Sequence, residues 1–337
     1  MLSLEDKKLL DLLQKKFPLV PRPFAVLAEQ AGLSEETVLK KVAEWQQAGV
    51  VRRLGPVFDS KRLGYQSLLV ALACPKSELE RVSAIINAYP GVTHNYLREV
   101  EDGWPLRYNL WFTMTGASAQ EVEENLTEIA KLTGQDDLLR LPAHTLYKIR
   151  VQFDLLGNQG QQAVESKFTP PPNPGPATLT QQDWALIEAF QEELAPITEP
   201  FQPIAAAAGL ESAELLDRVK ELQKNGVIRR FGATLKHYAV GFGSNAMGVW
   251  AVPKDRENEV GQIMASFSAV SHCYARSTYA QWPFNLYTML HSDSREGCWK
   301  IAAEIAEATG VSDYHLLFTV QELKKERMNY RAPRRHN

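Results

Sequence analysis

The sequence predicts an α+β protein made as a tandem repeat, each half a winged helix-turn-helix followed by a βαββαβ domain. Three observations carry this expectation. First, matching segments recur at an offset of 177 residues: Leu2-Ser3…Asp6 with Leu179-Thr180…Asp183, Pro23-Phe24…Gly32-Leu33 with Pro200-Phe201…Gly209-Leu210, and Gly49-Val50-Val51-Arg52-Arg53 with Gly226-Val227-Ile228-Arg229-Arg230. Such a run means duplication and fusion. Second, each half opens with three short helix patterns and an arginine-bearing strand. Third, each half then alternates strands and helices in the order of the ferredoxin-like split βαβ unit.

The elements follow in order. Ser3-x-x-Asp6 and Thr180-x-x-Asp183 are capping boxes, with Asp in place of the commoner Glu or Gln. Leu9, Leu10, Leu12 and Leu13 give the first helix a buried face. A Pro-rich bend (Pro18, Pro21, Pro23; Pro196, Pro200, Pro203) leads to a short second helix stopped by Gly32. Ser34 caps the third, with Val38, Val42 and Trp45 inward and Gly49 at its end. Strands are expected near 67–74, 92–100, 108–116 and 138–152, and near 245–252, 269–277, 284–291 and 313–324. Helices are expected near 77–88, 119–133, 255–266 and 294–309. The stretch Gly157 to Pro176, with Pro170-Pro171-Pro172, reads as an extended linker. The expected domains are therefore 1–56 and 179–233 (winged helix-turn-helix), 57–156 and 234–331 (α+β), with a linker at 157–178.

Composition excludes several classes. The 37 basic and 40 acidic residues give a net charge of −3, without the basic surface that phosphate contacts need. Cys74, Cys273 and Cys298 are scattered, which suggests neither a disulfide framework nor a zinc or iron–sulfur site. A reducing cytoplasm fits. No signal peptide is visible, and no apolar run approaches the roughly 18 residues of a membrane span.

One strand stands out because it occurs twice: Val92-Thr93-His94-Asn95-Tyr96-Leu97-Arg98 and Val270-Ser271-His272-Cys273-Tyr274-Ala275-Arg276. Trp104-Pro105 and Trp282-Pro283 follow at the same distance. Strand side chains alternate faces, so His, Tyr and Arg share one face in each copy. A core-facing strand would carry aliphatics there. From His to Arg spans roughly 13 Å at about 3.3 Å per residue. Such a face suits a flat anionic ligand: arginine forks for carboxylates and aromatic rings for an apolar plane.

The segment Leu27-Ala28…Ala31-Gly32-Leu33-Ser34…Val38…Val42…Gly49-Val50-Val51-Arg52-Arg53 resembles the Lrp/AsnC transcription regulators. The His-x-Tyr-x-Arg strands, with Tyr108-Asn109-Leu110-Trp111-Phe112-Thr113 and Trp282-Pro283-Phe284-Asn285-Leu286-Tyr287-Thr288-Met289-Leu290-His291, are similar to the siroheme decarboxylases, which share that architecture. The resemblance covers nearly the whole chain outside the linker. The first half resembles the subunit ending in Leu141-Pro142-Ala143 to Asp154, and the second its partner, so a fused pair forming an internal pseudo-dimer is implied, with further homo-oligomerisation open.

The resemblance implies loss of carbon dioxide from two acetate side chains of siroheme, giving 12,18-didecarboxysiroheme for heme or nitrite-reductase heme biosynthesis. It implies no cofactor apart from the substrate, which carries its own iron. His94 and His272 are the expected catalytic residues, as proton donors, with either available as an axial ligand to that iron. Arg98, Arg276, Tyr96, Tyr274, Arg52, Arg53, Arg229, Arg230, Trp104, Trp282, Asn109, Asn285 and His291 are the candidate substrate-binding residues. Each has a structural alternative: a wing ion pair for the arginines, a core plug for the tryptophans, an edge brace for the asparagines. His144 and His315 do not align with one another and are taken as structural, and Cys273 as packing.

Two other readings compete. A DNA-binding regulator is disfavoured by the acidic recognition helices, with Glu35 and Glu36 in one and Glu211, Glu214, Asp217 and Glu221 in the other. A tetrapyrrole sensor without chemistry would use the same His-Tyr-Arg face. Neither nucleic acid nor membrane is an expected partner.

Overall fold

The structure, a computed structural model, describes residues 2–149, 175–236 and 243–332. The first half contains α1 (Leu4–Lys15), α2 (Pro23–Ala31), α3 (Glu35–Gln47), β1 (Val51–Phe58), β2 (Gln66–Leu72), α4 (Leu79–Asn87), β3 (Val92–Glu99), β4 (Leu110–Gly116), α5 (Ala119–Thr133), β5 (Leu138–Leu141) and β6 (Ala143–Ile149). The second contains α6 (Gln181–Ala189), α7 (Phe201–Ala208), α8 (Ser212–Lys224), β7 (Ile228–Leu235), β8 (Ser244–Trp250), α9 (Glu257–Ser266), β9 (Val270–Arg276), β10 (Leu286–Ser292), α10 (Arg295–Thr309) and β11 (Tyr314–Lys325).

Both capping boxes form. The Ser3 hydroxyl accepts from the Asp6 N–H at 3.0 Å and the Asp6 carboxylate from the Ser3 N–H at 3.0 Å. Thr180 and Asp183 repeat this at 3.1 and 2.7 Å. Such caps are worth about 1 kcal/mol each. The same carboxylates then tie the first helix to the third, Asp6 through Lys41 at 2.7 Å and Asp183 through Arg218 at 2.7 Å.

The helical units of the two halves share one core. Leu9, Leu10 and Leu13 join Leu186, Ile187 and Phe190 in it, and Phe17 stacks on Phe231 with ring centroids 5.6 Å apart. The wing strands β1 and β7 pair with each other as an antiparallel ribbon, Gly55 opposite Gly232. Gly232 has φ +151, and a Cβ there would come within 2.6 Å of the Leu13 carbonyl oxygen, so only glycine fits.

The strands of both α+β regions form a single nine-stranded sheet, ordered β5-β2-β4-β3-β11-β8-β10-β9-β6. Here the expected strand over 138–152 needs correction. The chain breaks it at Pro142, which has no N–H to extend a ladder. β5 stays with β2 of its own half, while β6 crosses to β9 of the other. β11 makes the same crossing unbroken: residues 314–318 pair with β8 and 318–325 with β3. The rest of that expected strand, the stretch to Asp154 and most of the Pro-rich linker lie outside the described residues.

Helices cover the outer faces. Val92, Phe112 and Met114 pack with Val82, Ile86, Leu126 and Ile129. Cys273, Ala275 and Leu290 pack with Val260, Met264, Ala302 and Ile305, the packing role expected of Cys273. The inner faces of the two halves meet in a third core of Tyr108, Trp111, Leu139, Met247, Val249, Trp282, Phe284 and Tyr287. Among the described residues no helix is long and apolar enough to cross a membrane.

Candidate functional site

The two conspicuous strands carry their polar faces inward. Asn95 points to the outer side, where its amide donates to Asn87 Oδ1 at 2.9 Å, and Cys273 is buried in the outer core. Their neighbours His94, Tyr96 and Arg98, and His272, Tyr274 and Arg276, therefore face the other half of the molecule. The two copies share the same internal distances. His94 and Tyr96 rings are 6.2 Å apart and His272 and Tyr274 rings 6.1 Å apart. The Arg98 guanidinium lies 5.3 Å from the Tyr96 ring centre and that of Arg276 5.0 Å from Tyr274.

A bulge sits at the same place in each strand. The β3–β4 register shifts between His94 and Val92, and the β9–β10 register between His272 and Val270. Two residues of the bulged strand then oppose one, and the local alternation is broken. This lets a hydroxyl reach its immediate neighbour. Thr93 Oγ1 lies 2.9 Å from His94 Nδ1, and Ser271 Oγ lies 2.9 Å from His272 Nδ1. Neither hydroxyl was expected in the site, because simple alternation puts it on the opposite face from the histidine.

The arginines are buried cations without an anion. Arg98 donates to the Leu317 carbonyl at 3.0 Å and Arg276 to the Leu141 carbonyl at 2.6 Å, at equivalent points just before each strand crosses to the other half. Among the described residues no carboxylate pairs with either, and the Nε of each has no partner. Burial pushes Arg98 down to about 10 and lowers Arg276 as well. A buried charge left uncompensated costs several kcal/mol. The arrangement is one that an anionic ligand would complete.

Both histidines are desolvated yet retain accessible surface, the combination of a side chain lining a recess. Burial first, then Lys325 and Arg52, brings His94 down to about 4. Burial first, then His94 and Arg229, brings His272 to about 4. Both imidazoles are therefore neutral at pH 7 in the ligand-free chain. The imidazolium donor expected from the sequence therefore needs charge brought by a ligand.

Other candidates divide. Arg52 donates to the Lys325 carbonyl at 2.5 Å beside His94, and Arg229 pairs with Asp59 at 2.9 Å near His272 and Tyr274. Their neighbours on the wing turn away. Arg53 donates to the Phe190 carbonyl at 3.0 Å, and Arg230 to the Ala233 carbonyl and Thr234 Oγ1, both at 3.1 Å. In the ligand-free chain Arg53 and Arg230 thus brace the helical unit and the wing. Asn109 accepts from the Cys74 N–H at 2.8 Å and donates to its carbonyl at 2.9 Å. Asn285 does the same to Val252 at 2.8 and 3.1 Å. Both amides extend a ladder at a strand end, the bracing alternative expected for them. Trp282 is 1% exposed, donates to Tyr287 Oη at 2.7 Å and belongs to the inner core. Trp104 stacks on His315 at 4.2 Å, and His315 bonds Asp102 at 2.5 Å. Trp282 is thus a core plug in the ligand-free chain, while Trp104 is half-buried and packs against that core beside His315. His291 lies 2.7 Å from Ser271 Oγ through its Nε2, which ties it to His272 rather than to an independent position.

Lys325 escaped the sequence reading. It sits in register with His94 across the exchanged strand, whereas Ile149 occupies that place opposite His272. A cavity of about 200 Å³ bordered by Asn245, Asp293, Arg295 and Thr319 contains no residue of either His-Tyr-Arg face. It is smaller than the roughly 300–1,000 Å³ of ordinary ligand sites. On the recognition helices, Lys41, Arg218 and Lys220 are paired internally with Asp6, Asp183 and Asp217, which leaves less charge for phosphates.

Comparisons with known proteins bear on the family and the fold. A family described as the AsnC-like ligand binding domain matches residues 62–148 and 239–324. One described as the siroheme decarboxylase NirDL-like HTH domain matches 6–52 and 183–229. The chain is 35% identical over 330 residues to a siroheme decarboxylase of Hydrogenobacter thermophilus, covering 97% of this chain and 95% of that one. It is 32% identical over 320 residues to a siroheme decarboxylase NirDL subunit of Paracoccus pantotrophus, covering 94% of each. A crystal structure of the siroheme decarboxylase NirDL with an iron-uroporphyrin III analogue superposes with a TM-score of 0.70 at 32% identity, covering 97% of this chain and 94% of that one.

Proposed function

The chain belongs to the siroheme decarboxylase family, and on that premise we propose that it removes carbon dioxide from two acetate side chains of siroheme at the inner faces of β3 and β9. The single observation that carries this reading is the pair of buried, uncompensated guanidiniums, Arg98 and Arg276, each on a face with a recessed imidazole. A flat polycarboxylate supplies the missing anions. Lys325, Arg52 and Arg229 add cations at the histidine end. Tyr96 and Tyr274 lie between, with an apolar ring surface for the macrocycle.

The chemistry follows from the environment. An ionised acetate held by arginine loses carbon dioxide and leaves an electron pair on its methylene carbon. A proton must take that place. Substrate carboxylates oppose the desolvation that keeps His94 and His272 neutral, so binding raises their pKa and charges them where the proton is used. A neutral imidazole can alternatively ligate the iron that the substrate brings. The reading assigns no separate cofactor.

The test is anaerobic incubation with siroheme followed by mass analysis of the tetrapyrrole. The expected product lacks the mass of two carbon dioxide molecules. Unchanged siroheme with bound protein would favour a sensor instead. Salt-sensitive binding to promoter DNA would favour a regulator.

A further inference from the structure

The exchanged strands give the two faces opposite walls. Each crosses with a bulge at the same place, so the copies correspond residue by residue. Glu322 and Lys325 stand opposite Tyr96 and His94, whereas Leu146 and Ile149 stand opposite Tyr274 and His272. Residues paired across neighbouring strands point to the same side of a sheet. The lysines between them point the other way: Lys324 donates to the Asn87 carbonyl at 2.7 Å and Lys148 to the Phe267 carbonyl at 2.8 Å, both on the outer side. On the inner side Lys325 pairs with Glu322 at 3.3 Å. Leu146 and Ile149 are half-buried. They stand outside the hydrophobic cores formed by the described residues. One face thus has an ion pair for a wall, and the other has two aliphatic side chains.

We infer that the two faces release carbon dioxide in a fixed order: the acetate at the second face, walled by Leu146 and Ile149, goes first, and the acetate at the first face, beside Lys325, goes second. The inference rests on the decarboxylase reading above. As the bond between the methylene carbon and the carboxylate breaks, negative charge leaves the two oxygens and the carbon dioxide departs neutral. A cation on those oxygens binds the ground state better than the transition state, which slows the step. The reacting acetate must lie beside the imidazole that protonates it. Lys325 is in register there on the first face and Ile149 on the second. His, Tyr and Arg are common to both faces and cannot set them apart.

The protons balance with one per face. The electron pair of the broken bond stays on the methylene carbon, the imidazolium Nε2–H bond breaks, and its proton forms the new C–H bond. Thr93 and Ser271 occupy Nδ1 of His94 and His272, which leaves Nε2 for the substrate. Each imidazolium gives one proton per turnover, so none has to enter the recess between the two losses. Both imidazoles are half-buried in the ligand-free chain, and each takes up its next Nε2 proton from solvent as the next substrate binds.

The experiment is a single-turnover course with siroheme and excess enzyme, under anaerobic conditions, for wild type, Ile149→Gln, Ile149→Leu and Lys325→Met. Binding of an iron uroporphyrin, read by its absorption band, reports an intact recess. Wild type should show a fast and a slow phase, with the product lacking one carbon dioxide accumulating between them. Ile149→Gln offers an amide N–H to the carboxylate without adding charge beside His272. It should slow the fast phase by roughly ten- to a hundredfold, what a hydrogen bond to a charged group is worth. Ile149→Leu keeps the wall apolar and should keep the fast phase. Lys325→Met should speed the slow phase by about tenfold, on the same scale, so that the intermediate no longer accumulates. A fast phase intact in Ile149→Gln would overturn the order, as would a single wild-type phase without intermediate. A slow phase unchanged or slower in Lys325→Met would overturn it too. Loss of the fast phase or of porphyrin binding in Ile149→Leu would make the position structural and have the same consequence. A wild-type chain that binds siroheme and releases no carbon dioxide would overturn the decarboxylase reading itself, a different outcome from active wild type with indifferent variants.

Discussion

The faces on β3 and β9 are built from one pattern and have been tuned in opposite directions. Each face has a wing arginine, Arg52 for His94 and Arg229 for His272, and around His94 the addition is a further cation, Lys325 from the exchanged strand. Around His272 the exchanged strand offers Ile149, and the addition is a second imidazole behind Ser271. The first face is thus richer in charge for holding a polyanion, and the second richer in proton-carrying groups. Duplication supplied the shared frame of His, Tyr and Arg. Divergence acted on the residues that touch the frame from neighbouring strands, which is why the difference is invisible within either seven-residue motif.

The largest expected effect separates the histidines. His272→Ala should lower turnover by at least about 10²-fold, the usual scale for a lost acid–base group. His94→Ala should also fall by about 10²-fold if both faces donate protons. A full loss from one variant and none from the other, measured as product per enzyme under anaerobic conditions, would sharpen the comparison to a single productive face.

The arginines come next. Arg98→Met and Arg276→Met each remove a cation that would bond a substrate carboxylate, worth about 1.5–3 kcal/mol. Porphyrin affinity should therefore weaken by roughly ten- to a hundredfold in both. Equal losses would show that both faces hold carboxylates, and unchanged affinity in either would remove that face from the binding site.

Smaller shifts test the charged surroundings. Lys325→Met removes a positive neighbour, so the His94 pKa should rise while His272 moves little. Ile149→Lys should lower the His272 pKa by the same logic. Imidazole resonances followed through a pH titration read both, and a His94 titration indifferent to Lys325→Met would contradict the placement of that cation.

The same burial predicts a stability profile. Both histidines have folded pKa values near 4, below the roughly 6.5 of a free imidazole. The unfolded chain then binds protons that the folded chain refuses. Stability is fully present above about pH 6.5 and is lost as the pH falls toward about 4. His94→Gln and His272→Gln should each flatten this fall in thermal unfolding, and a profile as steep as wild type in both variants would count against neutral burial.

The smallest effect compares the helical units. Ser3→Ala and Thr180→Ala each remove a cap worth about 1 kcal/mol. Because Asp183 is fully buried and Asp6 is not, Thr180→Ala should be the more damaging in denaturant unfolding.

Much of this was legible in the sequence for physical reasons. The repeat offset, the caps and the period of apolar residues are local signals, and the structure shows both capping boxes and the helices they begin. The shared face of His94, Tyr96 and Arg98 followed from strand alternation. What alternation could not show was the bulge, which brings Thr93 and Ser271 to the histidines against the simple period of two. Strand exchange at Pro142 and along β11 was also hidden. It is decided by pairing between halves, and it alone places Lys325 beside His94. The ladder bonds of Asn109 and Asn285 were hidden too, because an amide that completes a backbone ladder looks the same in sequence as one poised for a carboxylate. Adjacent wing residues also point opposite ways, so Arg53 and Arg230 bond the helical unit and the wing while Arg52 and Arg229 act on the histidines.

The central claim is that the inner faces of β3 and β9 decarboxylate siroheme with His94 and His272. Its most direct test is a single-turnover time course with siroheme, followed by mass spectrometry for wild type, His94→Ala and His272→Ala. Wild type should pass through a product lacking one carbon dioxide to one lacking two, and the histidine variants should stall before the end. Wild-type progress to the final product in both variants would contradict it.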